Sequence, residues 1–299
     1  MSRAAHRPQR AAAWLLAAAA ALSATAAGAA APTASTAPTA SPRPAGAACT
    51  GTVYLTLDTG NMRHAEPIAD ILRRRGVRAT FFLANEATWP DHRGAALGPE
   101  WHGYWRARVA EGHAFGSHTW RHGSFRRDAA GGRTEYRPQF GEQAGRTVLL
   151  DAAGICAELD RVDEAFRAAT GQALQRYWRA PGGRTTPAAL AAARSCGWAH
   201  VGWAQAGFLG DELPSESHPN DVLLARALAD VRDGDILMAH LGIWSRKDPF
   251  APMLEPLIAG LQQRGLCFET LRAHADYAQA AAPARTAPAA AAMPQRSPR

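Results

Sequence analysis

Between residues 52 and 271, short apolar runs alternate with longer stretches whose apolar residues recur every three or four positions. The short runs are Thr52–Leu57, Arg78–Leu83, His113–Ser117, Arg176–Arg179, Ala199–Ala204, Asp235–His240 and Cys267–Leu271, and they read as seven strands. Helical spacing falls at Arg63–Arg75, Trp101–Glu111, Ile155–Thr170, Thr186–Cys196, Asp221–Val231 and Ala251–Arg264. In the third of these, Ile155, Leu159, Val162 and Phe166 share one face and the charges lie elsewhere. Gly171 and Gly265 stand where a helix is closed by a left-handed residue. This alternation predicts an α/β fold with a mainly parallel sheet, helices outside, and chemistry at the C-terminal ends of the strands. Two connections, Thr88–Glu100 and Gly123–Gly154, are longer than ordinary ones and carry Trp89, Phe125, Tyr136 and Phe140. They are expected to wall a substrate groove.

The two ends of the chain have a different composition. Arg3, Arg7 and Arg10 precede an apolar run from Ala11 to Leu22 and then small residues with Ala-x-Ala options between Ala24 and Ala31, so residues 1–31 read as an export signal. The run is short of the ~20 residues that cross a bilayer; an uncleaved anchor is the alternative, and no stable membrane insertion is expected once the signal is removed. Residues 32–48 and 279–299, built mostly of Ala and Pro, read as a linker and a tail that cannot bury apolar surface. Residues 49–278 then form one domain, expected to be monomeric and either periplasmic or secreted. The net charge of +7 changes nothing in this picture, because seven of the 33 basic residues lie outside that domain, leaving 26 to face 26 acidic ones. A nucleic-acid partner therefore has no support. Cys49, Cys156, Cys196 and Cys267 lack C-x-x-C spacing, and an even number in an exported chain points to two disulfides with three connectivities open. The pairing expected is Cys49 with Cys267 and Cys156 with Cys196.

The reactive side chains gather at strand ends. Asp58 closes the first strand, His118 and His122 follow the third, Arg179 ends the fourth and His240 the sixth. Two histidines at i and i+4 on a helical turn would share one divalent cation. The bland readings are an Asx turn at Asp58, a core histidine at His240 and a structural ion pair at Arg179.

These residues lie in segments that resemble the polysaccharide deacetylases of carbohydrate esterase family 4, the NodB-homology domain. Thr56–Gly60 is similar to T-F-D-D-G, His118–His122 to H-[ST]-x-x-H, Arg179–Gly183 to R-x-P-x-G, and Gly234–His240 to G-D-I-[IV]-L-x-H, in family order. The resemblance implies a distorted (β/α)7-type barrel related to the TIM barrel. It also implies metal-assisted N-deacetylation of an acetylated polysaccharide, such as peptidoglycan or a chitin-like glycan. Asp58 would be the general base, Arg179 the group that keeps it ionised, and His240 the general acid with Asp211 as its partner. His118, His122 and Thr59 would hold a divalent metal, zinc first, and Pro181, Trp203 and Leu237 (or Met238) would line the substrate site.

One position departs from the family pattern. Thr59 stands where the resemblance implies the carboxylate ligand of the metal, so the site loses a negative charge. A water or His64 could fill that place. Two other readings stay open: a glycan-binding protein without turnover, and an amidohydrolase acting on a small molecule.

Overall fold

The computed structural model describes residues 48–92 and 94–280. The proposed export signal, and nearly all of the proposed linker and tail, lie outside these residues. The strands of the main sheet are β1 (Gly51–Asp58), β2 (Thr80–Leu83), β3 (Ala114–Ser117), β7 (Tyr177–Trp178), β8 (Ala199–His200), β9 (Ile236–His240) and β10 (Leu266–Phe268). All their pairings are parallel. β1 is the hub: its first half pairs with β10, its second half with β2 on one side, and Tyr54–Asp58 with β9. The sheet continues through β3 and β7 to β8. The gap between β8 and β9 is narrowed by residues 204–209, which run beside β9 through bonds such as Met238 N to Gly207 O at 2.8 Å. The sheet is thus curled into an incomplete barrel: its parallel pairing is what the alternating pattern predicts, and its curl is what the family resemblance implies.

Among the described residues, six α-helices pack around it: α1 (Ala65–Arg75), α2 (His102–Ala110), α3 (Ala152–Thr170), α4 (Pro187–Ser195), α5 (Asn220–Asp230) and α6 (Leu254–Gln263). The side chains of Asp151 and Thr186 cap α3 and α4 by accepting from Gly154 N and Ala189 N, which satisfies amides that a helix start leaves bare. Strand parity then divides the core. Val53, Leu55, Leu57, Leu237 and Ala239 face the helix layer. Tyr54, Phe82, Tyr177, Val201 and Ile236 fill the barrel interior, with Tyr277 and Ala280 packed against them. The fold therefore continues through Ala280, whose carbonyl accepts from Arg176 N at 3.0 Å, two residues beyond the expected boundary.

The segment 123–154 is a folded sheet, not an irregular connection. It forms an antiparallel sheet of β4 (Ser124–Ala129), β5 (Arg133–Arg137) and β6 (Val148–Leu150). Phe125, Thr134 and Tyr136 are buried while Arg126, Arg127, Arg133 and Arg137 face out, the period-2 alternation of a half-buried sheet. Both disulfides take the expected pairing, with Cα separations of 5.7 Å for Cys49–Cys267 and 6.1 Å for Cys156–Cys196. One ties the start of β1 to β10, the other the start of α3 to the end of α4. Among the described residues no helix is long and apolar enough to cross a membrane.

Candidate active site

β1 and β9 run in register, so Asp58 and His240 are paired across adjacent strands at the C-terminal end of the sheet. Asp58 is buried, and its Oδ1 lies 2.8 Å from Arg179 Nη1. Arg179 is fully buried and is held by a complete set of acceptors: Thr56 Oγ1 at 2.8 Å, Val201 O at 3.3 Å and Gly202 O at 3.0 Å. Its guanidinium also lies over the Phe82 ring, 4.2 Å from the centroid. Burial by itself would raise the carboxyl of Asp58, but the charge and hydrogen bond of Arg179, with help from His118 and His240, together outweigh it and hold the group below the usual carboxylate range. Asp58 is therefore an anion in an enclosed place, as a proton acceptor must be.

His118 Nε2 is 3.6 Å from Asp58 Oδ2, and its Nδ1 lies 2.9 Å from the Arg179 carbonyl. Burial pushes the imidazole down to about 4, so the ring is neutral with Nδ1–H donating to the carbonyl and Nε2 carrying a lone pair. His122 lies beside it, ring centroids 4.9 Å apart, with Nδ1 hydrogen-bonded to Gln139 Oε1. The two are not on a helical turn, as their spacing suggests. Thr119 and His122 have positive φ, 63° and 45°, and the turn is held by Glu158 of α3, which accepts from Arg121 N at 3.0 Å and Tyr136 OH at 2.8 Å. The antiparallel sheet thus buttresses the histidine turn through Tyr136, whose oxygen also accepts from Gly123 N.

On the opposite side, His240 Nδ1 is 3.0 Å from Asp211 Oδ1, and its backbone N donates to Asp211 Oδ2 at 2.7 Å. Burial alone would depress this imidazole. Asp211 outweighs it, helped by Asp58 and Glu212, and pushes the pKa up to about 10. His240 is accordingly an imidazolium, and Glu212 Oε2 stands 3.7 Å from its Nε2. Asp211, oddly placed in the sequence, is the group the fold brings to His240.

Other expected residues sort differently. Thr59 is buried and its hydroxyl donates to Glu86 Oε1 and accepts from Ala84 N, so it is not free to serve as a ligand. Among the described residues no three His, Cys, Asp or Glu side chains already stand close enough to hold a metal ion. His64 lines a small cavity with Asp211, His240, Gly242 and Arg246, on the acid side rather than beside the histidine turn. Leu237 packs in the helix-facing core, fully buried, because strand parity puts Met238 and not Leu237 on the face of His240. Pro181 lines a cleft of about 390 Å³ with His122, Arg126, Arg137 and Gln139. Trp203 lies 5.4 Å from the Arg179 guanidinium and leaves no room for a Cβ at Gly183 (φ 67°), so the turn after Arg179 needs glycine there. Trp89 is 46 % exposed with its ring 5.9 Å from that of Trp244, in the segments after β2 and β9. Glu86, Glu158, Gln139 and Trp244 escaped the sequence reading. Of these, only Glu86 had a usable signal, a charged residue just past the end of a strand.

A family model described as polysaccharide deacetylase matches residues 45–201, more than half of the chain. The chain belongs to the polysaccharide deacetylase family. A chitooligosaccharide deacetylase from Bradyrhizobium sp. (strain ANU 289) is 29% identical over 227 residues, covering 72% of this chain and 87% of the relative. A chitin deacetylase from Pestalotiopsis sp is 30% identical over 159 residues, covering 52% of this chain and 42% of the relative. Among solved structures, a family 4 carbohydrate esterase from Streptomyces lividans in complex with acetate superposes with a TM-score of 0.53 at 22% identity, covering 75% of this chain and 94% of that one. The curled sheet agrees with that fold, and family membership makes the chain a hydrolase.

Proposed function

We propose that this enzyme removes acetyl groups from the N-acetylated sugars of a cell-wall or extracellular glycan. The carrying observation is the pairing across β1 and β9 of a buried anion, Asp58, with a partly buried imidazolium, His240. An amide is a poor electrophile, and an amine cannot leave as an anion. Hydrolysis therefore needs a base on the attacking water and an acid on the departing nitrogen. Asp58, kept ionised by Arg179, takes the water proton, and His240, kept charged by Asp211, delivers one to the nitrogen. A divalent cation, zinc first, would be held by His118 and His122, and when bound it polarises the acetyl carbonyl and acidifies water. The fit rests on the donor set: both rings have Nδ1 tied to an oxygen, which leaves Nε2 open in the way metal-bound imidazoles are oriented.

Two disulfides favour an oxidising compartment, consistent with export. A protein that only bound glycan would have no physical need for a base, its orienting arginine and an acid in one place. Acetate release from chitooligosaccharides or peptidoglycan fragments by the full chain is the test, with loss in Asp58→Asn and His118→Ala. No acetate from any N-acetylated glycan, under conditions where the protein is folded, would overturn the reading.

A further inference from the structure

Glu86 is a carboxylate that the mechanism above leaves unused, although it is only 4% exposed. Residues 84–86 follow β2 and fold across the end of β1: Thr59 N donates to Phe82 O at 3.1 Å, and Ala84 N donates to Thr59 Oγ1 at 3.1 Å. This crossing sets Glu86 Oε1 to accept from Thr59 Oγ1 at 2.5 Å and from Gly60 N at 2.8 Å. The other oxygen, Oε2, is turned toward the histidine turn, 3.8 Å from His122 Nδ1, which is beyond hydrogen-bond length. A carboxylate is costly to bury unless its charge is matched. The buried guanidinium of this site, Arg179, is already spent on Asp58. The Nδ1 atoms of both His118 and His122 face oxygens, so neither ring has reason to be rotated.

We infer that Glu86 is the carboxylate ligand of a divalent cation held with His118 and His122, in place of the side chain at position 59. The cation's catalytic use rests on the deacetylase reading, but its binding does not. Two imidazoles and one carboxylate form a donor set for zinc or cobalt. A modest shift of the Glu86 side chain, whose last torsion is broad, would carry Oε2 from the edge of His122 toward the Nε2 atoms, with the Oε1 bonds to Thr59 and Gly60 readjusting. Thr59 and Glu86 are then a matched pair. The threonine hydroxyl supplies a proton to Oε1, whereas an aspartate there would set a second carboxylate against the first, and both would resist ionisation. The charge that position 59 lacks is returned from the end of the neighbouring strand.

The test uses the full chain stripped of metal with chelator, titrated with ZnCl₂ by calorimetry and with Co²⁺ by visible absorption. The wild type should bind one equivalent. Glu86→Gln, whose amide oxygen can still accept from Thr59 and Gly60, should lose at least about tenfold in affinity and shift the cobalt spectrum. Adding Thr59→Asp to Glu86→Gln should return most of the affinity, because one carboxylate again faces the two rings. Thr59→Asp alone should not exceed the wild type. Thermal unfolding of each variant separates a lost ligand from a lost fold. Wild-type affinity with an unchanged cobalt spectrum in Glu86→Gln would overturn the inference. So would a wild type that takes up neither ion, or a double variant no better than Glu86→Gln. Acetate release measured in parallel separates the two readings: turnover without Glu86-dependent metal sinks only the ligand, and Glu86-dependent metal without turnover sinks only the deacetylase.

Discussion

Asp211→Asn is the sharpest probe of the acid arm. The amide keeps the shape and can still accept from His240 N, now at 2.7 Å from Asp211 Oδ2, but it removes the charge 3.0 Å from Nδ1. With Asp211, the imidazole titrates at about 10; without that charge, burial is opposed only by Asp58 and Glu212, and a return to the ordinary imidazole value of ~6.5 sets the scale of the effect. At ~pH 8 the imidazolium fraction would drop from nearly complete to about one in thirty. If His240 donates the proton to the leaving nitrogen, kcat/KM for acetate release should fall roughly 30-fold at ~pH 8 and by no more than about twofold at ~pH 6. The alkaline limb of the profile moves down accordingly. Stability carries the same signature. A histidine whose folded pKa exceeds its unfolded value contributes fully below pH 6.5 and loses that contribution as pH rises toward about 10. The wild type, and not the variant, should therefore lose unfolding free energy across that window. A rate loss equal at both pH values, or an alkaline limb that does not move, would refute the assignment of His240 as acid.

Replacing Arg179 with Met leaves Asp58 buried without its cation, which should cost about 3–5 kcal/mol in urea unfolding; adding Asp58→Asn should recover part of it, and a double variant as unstable as the single one would contradict this account. Removing the Cys49–Cys267 bridge, which spans 218 residues, should destabilise by about 5 kcal/mol in the chain-entropy view, against about 4 for the Cys156–Cys196 span of 40. The reverse order under matched thiol conditions would speak against loop closure as the source. Trp89→Ala should raise KM for oligosaccharides about two- to tenfold on the scale of aromatic stacking while leaving kcat unchanged; a change in kcat alone would remove Trp89 from substrate contact.

The periodicity of apolar residues determined the seven parallel strands, the six helices and the place of Asp58, Arg179 and His240 at strand ends. Those follow from local rules, because a helix or strand must turn one face to the core whatever its neighbours are. The alternation in Arg133-Thr134-Glu135-Tyr136-Arg137 was present too, and its length and charge masked an antiparallel sheet. Tertiary structure alone decided the rest. Leu237 and Met238 are equally apolar in the sequence, and only the register with β1 puts one against the helices and the other beneath His240. Asp211 reaches His240 across 29 residues, and Glu86 reaches Thr59 across 27. Such pairs are made by the crossing of chain segments after β1, β2 and β8. A linear pattern records which way a side chain faces, but not which distant carboxylate it will meet.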